Sequence, residues 1–298
     1  MRKEHDGLGE MDLPDSAYWG IVSERNKRAF NVGSLTLDDY PSYIRAVALC
    51  KIACARANVE IGALDPTKAK FIEEAAWEVA NGKFKGNFVV NIYRGSGTPT
   101  NMIVNEVIAH RANELMTGDK TKGGIHPNTH VNMCQSTNDL IPTAKEIVIY
   151  EELGKVISAA EYFADALQAK ADEFADVIKM GRTCLQDAVP MTLGQEFRAF
   201  AHATKRLVKR MKSEQSRWNR SCIGGTCVGT GMGCMPGFRK VIERHLSDVC
   251  GRPIYTEEDL FDGMMATDGI VIAHAHLQAL ATVVWKTARD IRLLGSGP

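Results

Sequence analysis

Ser136, Thr137 and Asn138 place two hydroxyls and an amide side by side, shortly before Pro142, Thr143 and Glu146. Proline near a first helical turn and a Thr-x-x-Glu pair both read as a helix start. Neutral donors at such a start suit a carboxylate, because free backbone N–H groups and the helix dipole both attract an anion. The chemistry on offer is the binding and polarisation of a carboxylate without a full positive charge. The surrounding text from Ile125 to Asp139 (IHPNTHVNMCQSTND) is too polar for a core element. An ordinary polar loop with a good N-cap is the plainer reading of the same residues.

Other loops carry comparable groups. Residues 94–98 (RGSGT) precede a helix expected over Asn101–Met116, and glycine lets a backbone approach an anion closely. No Gly-Lys-Ser/Thr follows, so this is not a P-loop, and the dinucleotide fingerprint GxGxxG is absent. A simple turn is the alternative there. Residues 181–190 (GRTCLQDAVP) and 224–233 (GGTCVGTGMG) are two more such loops, for which flexible turns are the bland reading.

The elements that must position these loops read as helices. Apolar residues at steps of three and four mark 41–60 and 69–81, the second closed by Asn81-Gly82. Beyond Pro142, Leu153, Val156, Ala160, Phe163 and Leu167 continue the same spacing. Thr192-Leu-Gly-Gln195 is a capping box ahead of Phe197, Phe200, Leu207 and Met211, and Ile270 to Ile291 form a last seam. Such seams predict a mostly α fold: an N-terminal helical domain over 1–142 and a long-helix bundle over 143–298. The first forty residues are expected to be irregular, and 88–93 is the one short β-like run.

The chain has 298 residues with 36 basic and 36 acidic side chains, for a formal charge of +0. That balance argues against nucleic-acid or anionic-membrane partners. No apolar run is long enough to span a bilayer, and no secretory signal is visible. Eight cysteines without a disulfide pattern suit a reduced, cytoplasmic protein. Cys50 and Cys54 share a helical face with no second ligand pair, and Pro127 argues against a metal-binding helix at His126 and His130. No metal or other cofactor is expected.

The blocks GSGTPTNMIVNEVIA, HPNTHVNMCQSTND, MGRTCLQDAVPMTLGQEFRAF and GGTCVGTG resemble the fumarase/aspartase superfamily of lyases, in the right order along the chain. Residues 132–139 and 187–200 read closest to aspartate ammonia-lyases, with class II fumarase the near neighbour. The resemblance implies a cofactor-free anti-elimination yielding fumarate from a small dicarboxylate such as aspartate. It also implies a homotetramer whose active sites combine loops of three subunits. Elimination passes through an aci-carboxylate dianion, which preorganised donors must stabilise; one such donor is worth about 3–4 kcal/mol.

By the resemblance, Ser96, Thr98, Ser136, Thr137, Asn138, Thr183 and Cys184 contact substrate. His130 would stand behind them, and Asn101, Asn105 and Glu106 would support or touch them. The family's signature loop, with its base serine, would follow Pro298, so a chain of these 298 residues is expected to be inactive alone, with its bundle incomplete. Cys184 stands where histidine or glutamine is usual; a tolerated small residue and a nucleophile activated by Arg182 are its two readings. Ile103, Thr129 and Gly233 also depart from the family pattern. Fumarate hydratase and a non-catalytic scaffold are the alternatives to ammonia elimination.

Overall fold

A computed structural model describes residues 1–30, 32–93 and 97–297. The fold is mostly α-helical. Two compact units emerge, Met1–Val148 with Asn219–Ala266, and Ile149–Trp218 with Thr267–Pro298.

In the first unit, helices α2 (Pro41–Glu60), α3 (Pro66–Ala80) and α4 (Thr98–Thr117) form the core. α2 is buried along most of its length, as its nearly continuous apolar text requires; Lys51 is the charged exception. α3 opens on purely local contacts: the Asp65 carboxylate accepts from the Lys68 N–H at 3.0 Å, and Pro66 supplies a preset first turn. Helix α7 (Phe238–Cys250) packs its apolar stripe, Phe238, Ile242 and Leu246, into the same core.

The N-terminal forty residues are more ordered than expected. β1 (Arg2–Asp6) and β2 (Gly9–Leu13) pair as an antiparallel hairpin, and α1 (Ile21–Ala29) follows. The hairpin's alternation is of charged residues rather than apolar ones, so hydrophobic periodicity could not reveal it. Side chains tie the hairpin to the helix that follows: Arg25 of α1 donates to Asp6 through two hydrogen bonds of 2.8 Å. Conversely, the β-like run 88–93 forms only a single bridge, Asn91 to Thr36.

Helix α5 (Thr137–Glu173) starts earlier than its proline suggests. Ser136 supplies the cap, and Pro142 and Thr143 lie inside the helix. The Thr143 hydroxyl donates back to the Asp139 carbonyl at 2.9 Å instead of capping. The Ser136-x-x-Asp139 pair, one turn upstream, offers both halves of a capping interaction and so sets the boundary.

The second unit contains the rest of α5 from Ile149, helix α6 (Leu193–Gln215) and helix α9 (Asp268–Leu294), the last preceded in the chain by the short α8 (Leu260–Met265) of the first unit. The capping box at Thr192 and Gln195 forms as the sequence indicates, through bonds of 3.0 and 3.2 Å. Gly194 allows a close approach: a Cβ there would collide with backbone atoms of Ala171, Phe174 and Ala175. Residues 178–192 are a β-hairpin, β3 (Ile178–Thr183) with β4 (Gln186–Thr192), where a loop between helices was expected. Its turn residues Cys184 and Leu185 have φ of 50° and 61°, the left-handed pair that joins two strands tightly but is usually reserved for Asn or Gly. The sequence offered no Asn-Gly or Asp-Gly at this turn, so the hairpin was not legible. Along α9, Leu277, Val284 and Ile291 are exposed, as the apolar seam of a partly covered bundle would be.

Candidate functional site

The N-termini of α4 and α5 meet. Gly97, which caps α4, packs so closely that a Cβ would stand 2.7 Å from Ile141 and 2.9 Å from the Thr137 methyl. Thr98 is therefore the first residue of a helix that begins beside Thr137. Ser136 and Thr137 are half-buried, whereas Thr98 and Asn138 are exposed. Ser96 lies outside the described residues.

Behind this junction sits a group that the candidate set omitted. The Lys51 ammonium is fully buried and donates to Asn101 Oδ1 at 2.6 Å, Gln135 Oε1 at 2.8 Å and Asn132 Oδ1 at 2.9 Å. Lysine only donates, so each amide must present its oxygen to Lys51 and its nitrogen elsewhere. Asn101 then directs its Nδ2 at the Thr137 hydroxyl oxygen, 3.0 Å away. That oxygen accepts, leaving its proton to be donated; among the described residues no acceptor for it appears. A buried cation thus fixes the direction of an accessible neutral donor. Burial pulls the Lys51 pKa down to about 7, against the charge of Asp139 and of any ionised Cys54 or Cys50.

Asp139 is the second omitted group. Its buried carboxylate accepts from Ser136 N–H at 2.9 Å, Thr226 N–H at 2.8 Å and Gly224 N–H at 3.1 Å. Burial raises its pKa to about 6 in spite of those donors and of Lys51. It ties the start of α5 to the 224–233 tract, and Asn138 adds a bond of 2.8 Å to the Cys227 carbonyl. Both omissions had a signal in the sequence: a lone lysine inside VALCKIACA and an acid three residues after a capping serine.

The remaining candidates fall into place as supports. Glu106 is buried and accepts from the N–H groups of Gly20, Val22 and Ser23 at 2.9, 3.0 and 3.2 Å, capping α1. Asn105 donates to Asn132 at 3.3 Å. His126 and His130 belong to a single wide turn, Pro127–Val131, in which His126 Nδ1 accepts from Asn128 and Thr129 N–H. His130 Nδ1 accepts from His126 N–H at 2.9 Å, and its Nε2 lies 3.2 Å from Lys68 Nζ. Burial, together with Lys68 and His126, lowers the His130 pKa and favours neutral imidazole. Ile103 is fully buried in the core, Thr129 sits on the His126 turn, and Gly233 has φ of 91°, a conformation that suits glycine.

Thr183 and Cys184 lie in the second unit, exposed at the end of β3 and in the hairpin turn. Non-glycine residues held at positive φ store about 1–3 kcal/mol each and concentrate at functional sites, which gives Cys184 a structural mark beyond its sequence position. Arg182 pairs with Asp187 at 3.2 Å, so its charge is directed at a carboxylate of the same hairpin. Among the described residues no group of three His, Cys, Asp or Glu is arranged to hold a metal ion. No described helix is long and apolar enough to cross a membrane.

Neutral donors thus stand at paired helix starts, backed by a cluster of amides around Lys51. The family described as Lyase matches residues 9–298, and the chain belongs to it, within the fumarase/aspartase superfamily. Among curated relatives, a class II fumarate hydratase of Bradyrhizobium diazoefficiens is 40% identical over 301 residues, covering 100% of this chain and 63% of that protein. An aspartate ammonia-lyase of Helicobacter pylori is also 40% identical over 300 residues, covering 100% of this chain and 64% of that one. Among solved structures, a fumarate lyase:delta crystallin from Brucella melitensis superposes with a TM-score of 0.95 at 38% identity, over 100% of this chain and 65% of the other. A class II fumarase from Schistosoma mansoni gives 0.94 at 32% identity, over 100% and 66%. The chain therefore spans somewhat less than two thirds of the length of the relatives it matches.

Proposed function

We propose that the protein carrying this chain is a lyase that interconverts fumarate with a substituted four-carbon dicarboxylate. The observation that carries the reading is the Lys51–Asn101–Thr137 relay, in which the Thr137 oxygen accepts from Asn101 and keeps its own proton to donate. Removing a proton from the carbon next to a carboxylate places further charge on that carboxylate. Thr137, with Ser136 and Asn138 beside it, would receive the growing charge in a setting that needs no reorganisation. Thr98 would contribute from the α4 side, joined by Ser96 on the family resemblance alone, and Thr183 and Cys184 from the hairpin of a second subunit. That last assignment carries a homotetramer with composite sites, for which the exposed apolar seam of α9 is supporting evidence.

Water is the leaving group we put first, because class II fumarases figure among both the curated relatives and the solved structures. Ammonia is second, favoured by the aspartase-like residues 132–139 and 187–200. The donors described here serve a carboxylate in either reaction. Fumarate absorbance during incubation of the whole protein that carries this chain with L-malate or with L-aspartate separates them. Fumarate from malate supports the hydratase, fumarate from aspartate supports the ammonia-lyase, and fumarate from neither contradicts the catalytic reading in favour of a scaffold.

A further inference from the structure

Two thiols from segments a hundred residues apart meet next to the entry of α5. Cys134, two residues before Ser136, is held at φ of 60° and is buried. Cys234 follows the glycine tract and is partly exposed. The Cys234 thiol lies 3.3 Å from the Cys134 carbonyl oxygen, and the Met235 N–H donates to Cys134 Sγ at 3.3 Å. These two contacts bring the Cys134 and Cys234 side chains to the same spot.

We propose that Cys134 and Cys234 form an oxidisable dithiol, a modification site for hydroperoxides that closes a disulfide between the segment entering α5 and the glycine tract. The Cys134 thiolate attacks the peroxide; the O–O bond breaks, Cys134 becomes a sulfenic acid, and one oxygen leaves as water or alcohol. Cys234 then attacks the sulfenic sulfur, the S–O bond breaks, and the Cys234 proton leaves with that oxygen as water. Two thiols are oxidised and one peroxide is reduced, so atoms and electrons balance.

The surroundings assign the roles. The Met235 N–H donates to Cys134 Sγ and steadies a thiolate there, whereas the Cys234 thiol is turned to the Cys134 carbonyl oxygen. The same setting lowers the Cys134 pKa and raises that of Cys234. A thiolate is the attacking form, so Cys134 reacts first and Cys234 resolves. Neighbouring thiols are poorer competitors. Burial pushes Cys222 up to about 12, and its Sγ is occupied 3.1 Å from the Asp139 carbonyl; burial raises Cys54 further still.

The test is to treat the protein with hydrogen peroxide, alkylate the remaining thiols, and map the peptides by mass. The expected product is a linked Cys134–Cys234 peptide pair, lighter by two hydrogens and restored by dithiothreitol. In Cys234→Ser, checked for folding by its thermal melt, dimedone should trap a sulfenic acid at Cys134. Recovery of Cys134 and Cys234 as free thiols while the exposed Cys184 and Cys227 are oxidised would overturn the proposal. So would a Cys134 in folded Cys234→Ser that is as unreactive as Cys54. The wild-type peptide map alone decides the matter if the variant does not fold.

Discussion

The start of α5 and the β3–β4 hairpin present the same kinds of group by opposite means. At α5 the donors stand on a rigid helix end whose direction is set by Lys51, Asn101, Asn132 and Asp139, all buried or half-buried. On the hairpin, Thr183 and Cys184 are exposed, and the turn that displays them is held in a left-handed conformation. The first region invests in a satisfied polar network, which rigidifies because every member is needed by another. The second leaves its groups bare to solvent.

The largest effect should come from Lys51→Met. It leaves the buried Asn101 oxygen and the half-buried Gln135 oxygen without a donor, while Asn132 keeps Asn101 and Asn105. Each lost partner costs about 1–3 kcal/mol, so a loss of roughly 2 kcal/mol or more is expected in urea unfolding. A loss under about 1 kcal/mol would mean that the amides find other partners and that the helix start is not fixed by this lysine.

Asp139 sharpens the comparison through pH. Its folded pKa of about 6 lies above the unfolded value of about 4, so the folded state binds the proton more tightly. Its contribution is fully present below pH of about 4 and is lost as pH rises through about 6. The stability of the wild type relative to Asp139→Asn should therefore fall across that window, in paired unfolding curves. A difference that is flat or rises with pH would contradict the assignment of desolvation as the dominant cause.

The smallest structural effect belongs to the hairpin. Thr183→Ala removes an exposed side chain and should change stability by no more than about 0.5 kcal/mol, while fumarate formation drops. Equal loss of stability and activity would make Thr183 a folding residue instead.

How much of this was legible in sequence follows the same divide. The helices of the core and bundle could be read because apolar residues recur at helical spacing. The N-terminal hairpin could not, because its strands are made largely of charged residues and carry no apolar alternation. The hairpin at 178–192 lacked a turn signature, since Cys184 and Leu185 occupy positions where Asn and Gly are expected. At the site, Ser136, Thr137 and Asn138 stood out as exposed-type residues in a row. Lys51 did not enter the candidate set because its partners lie 50 to 84 residues away in the chain, a relation that no local spacing encodes. Pro142 and Thr143 misdirected the helix boundary because a stronger cap lay one turn earlier.

The central claim is that the Thr137 hydroxyl, oriented from Lys51 through Asn101, receives a substrate carboxylate. Calorimetric titration with succinate, an unreactive four-carbon dicarboxylate, tests it in the wild type and in Thr137→Val. A hydrogen bond to a charged group is worth about 1.5–3 kcal/mol, so the variant should bind about tenfold more weakly or worse with its fold intact. Equal succinate affinity in the two proteins, or no binding to the wild type, would contradict the account.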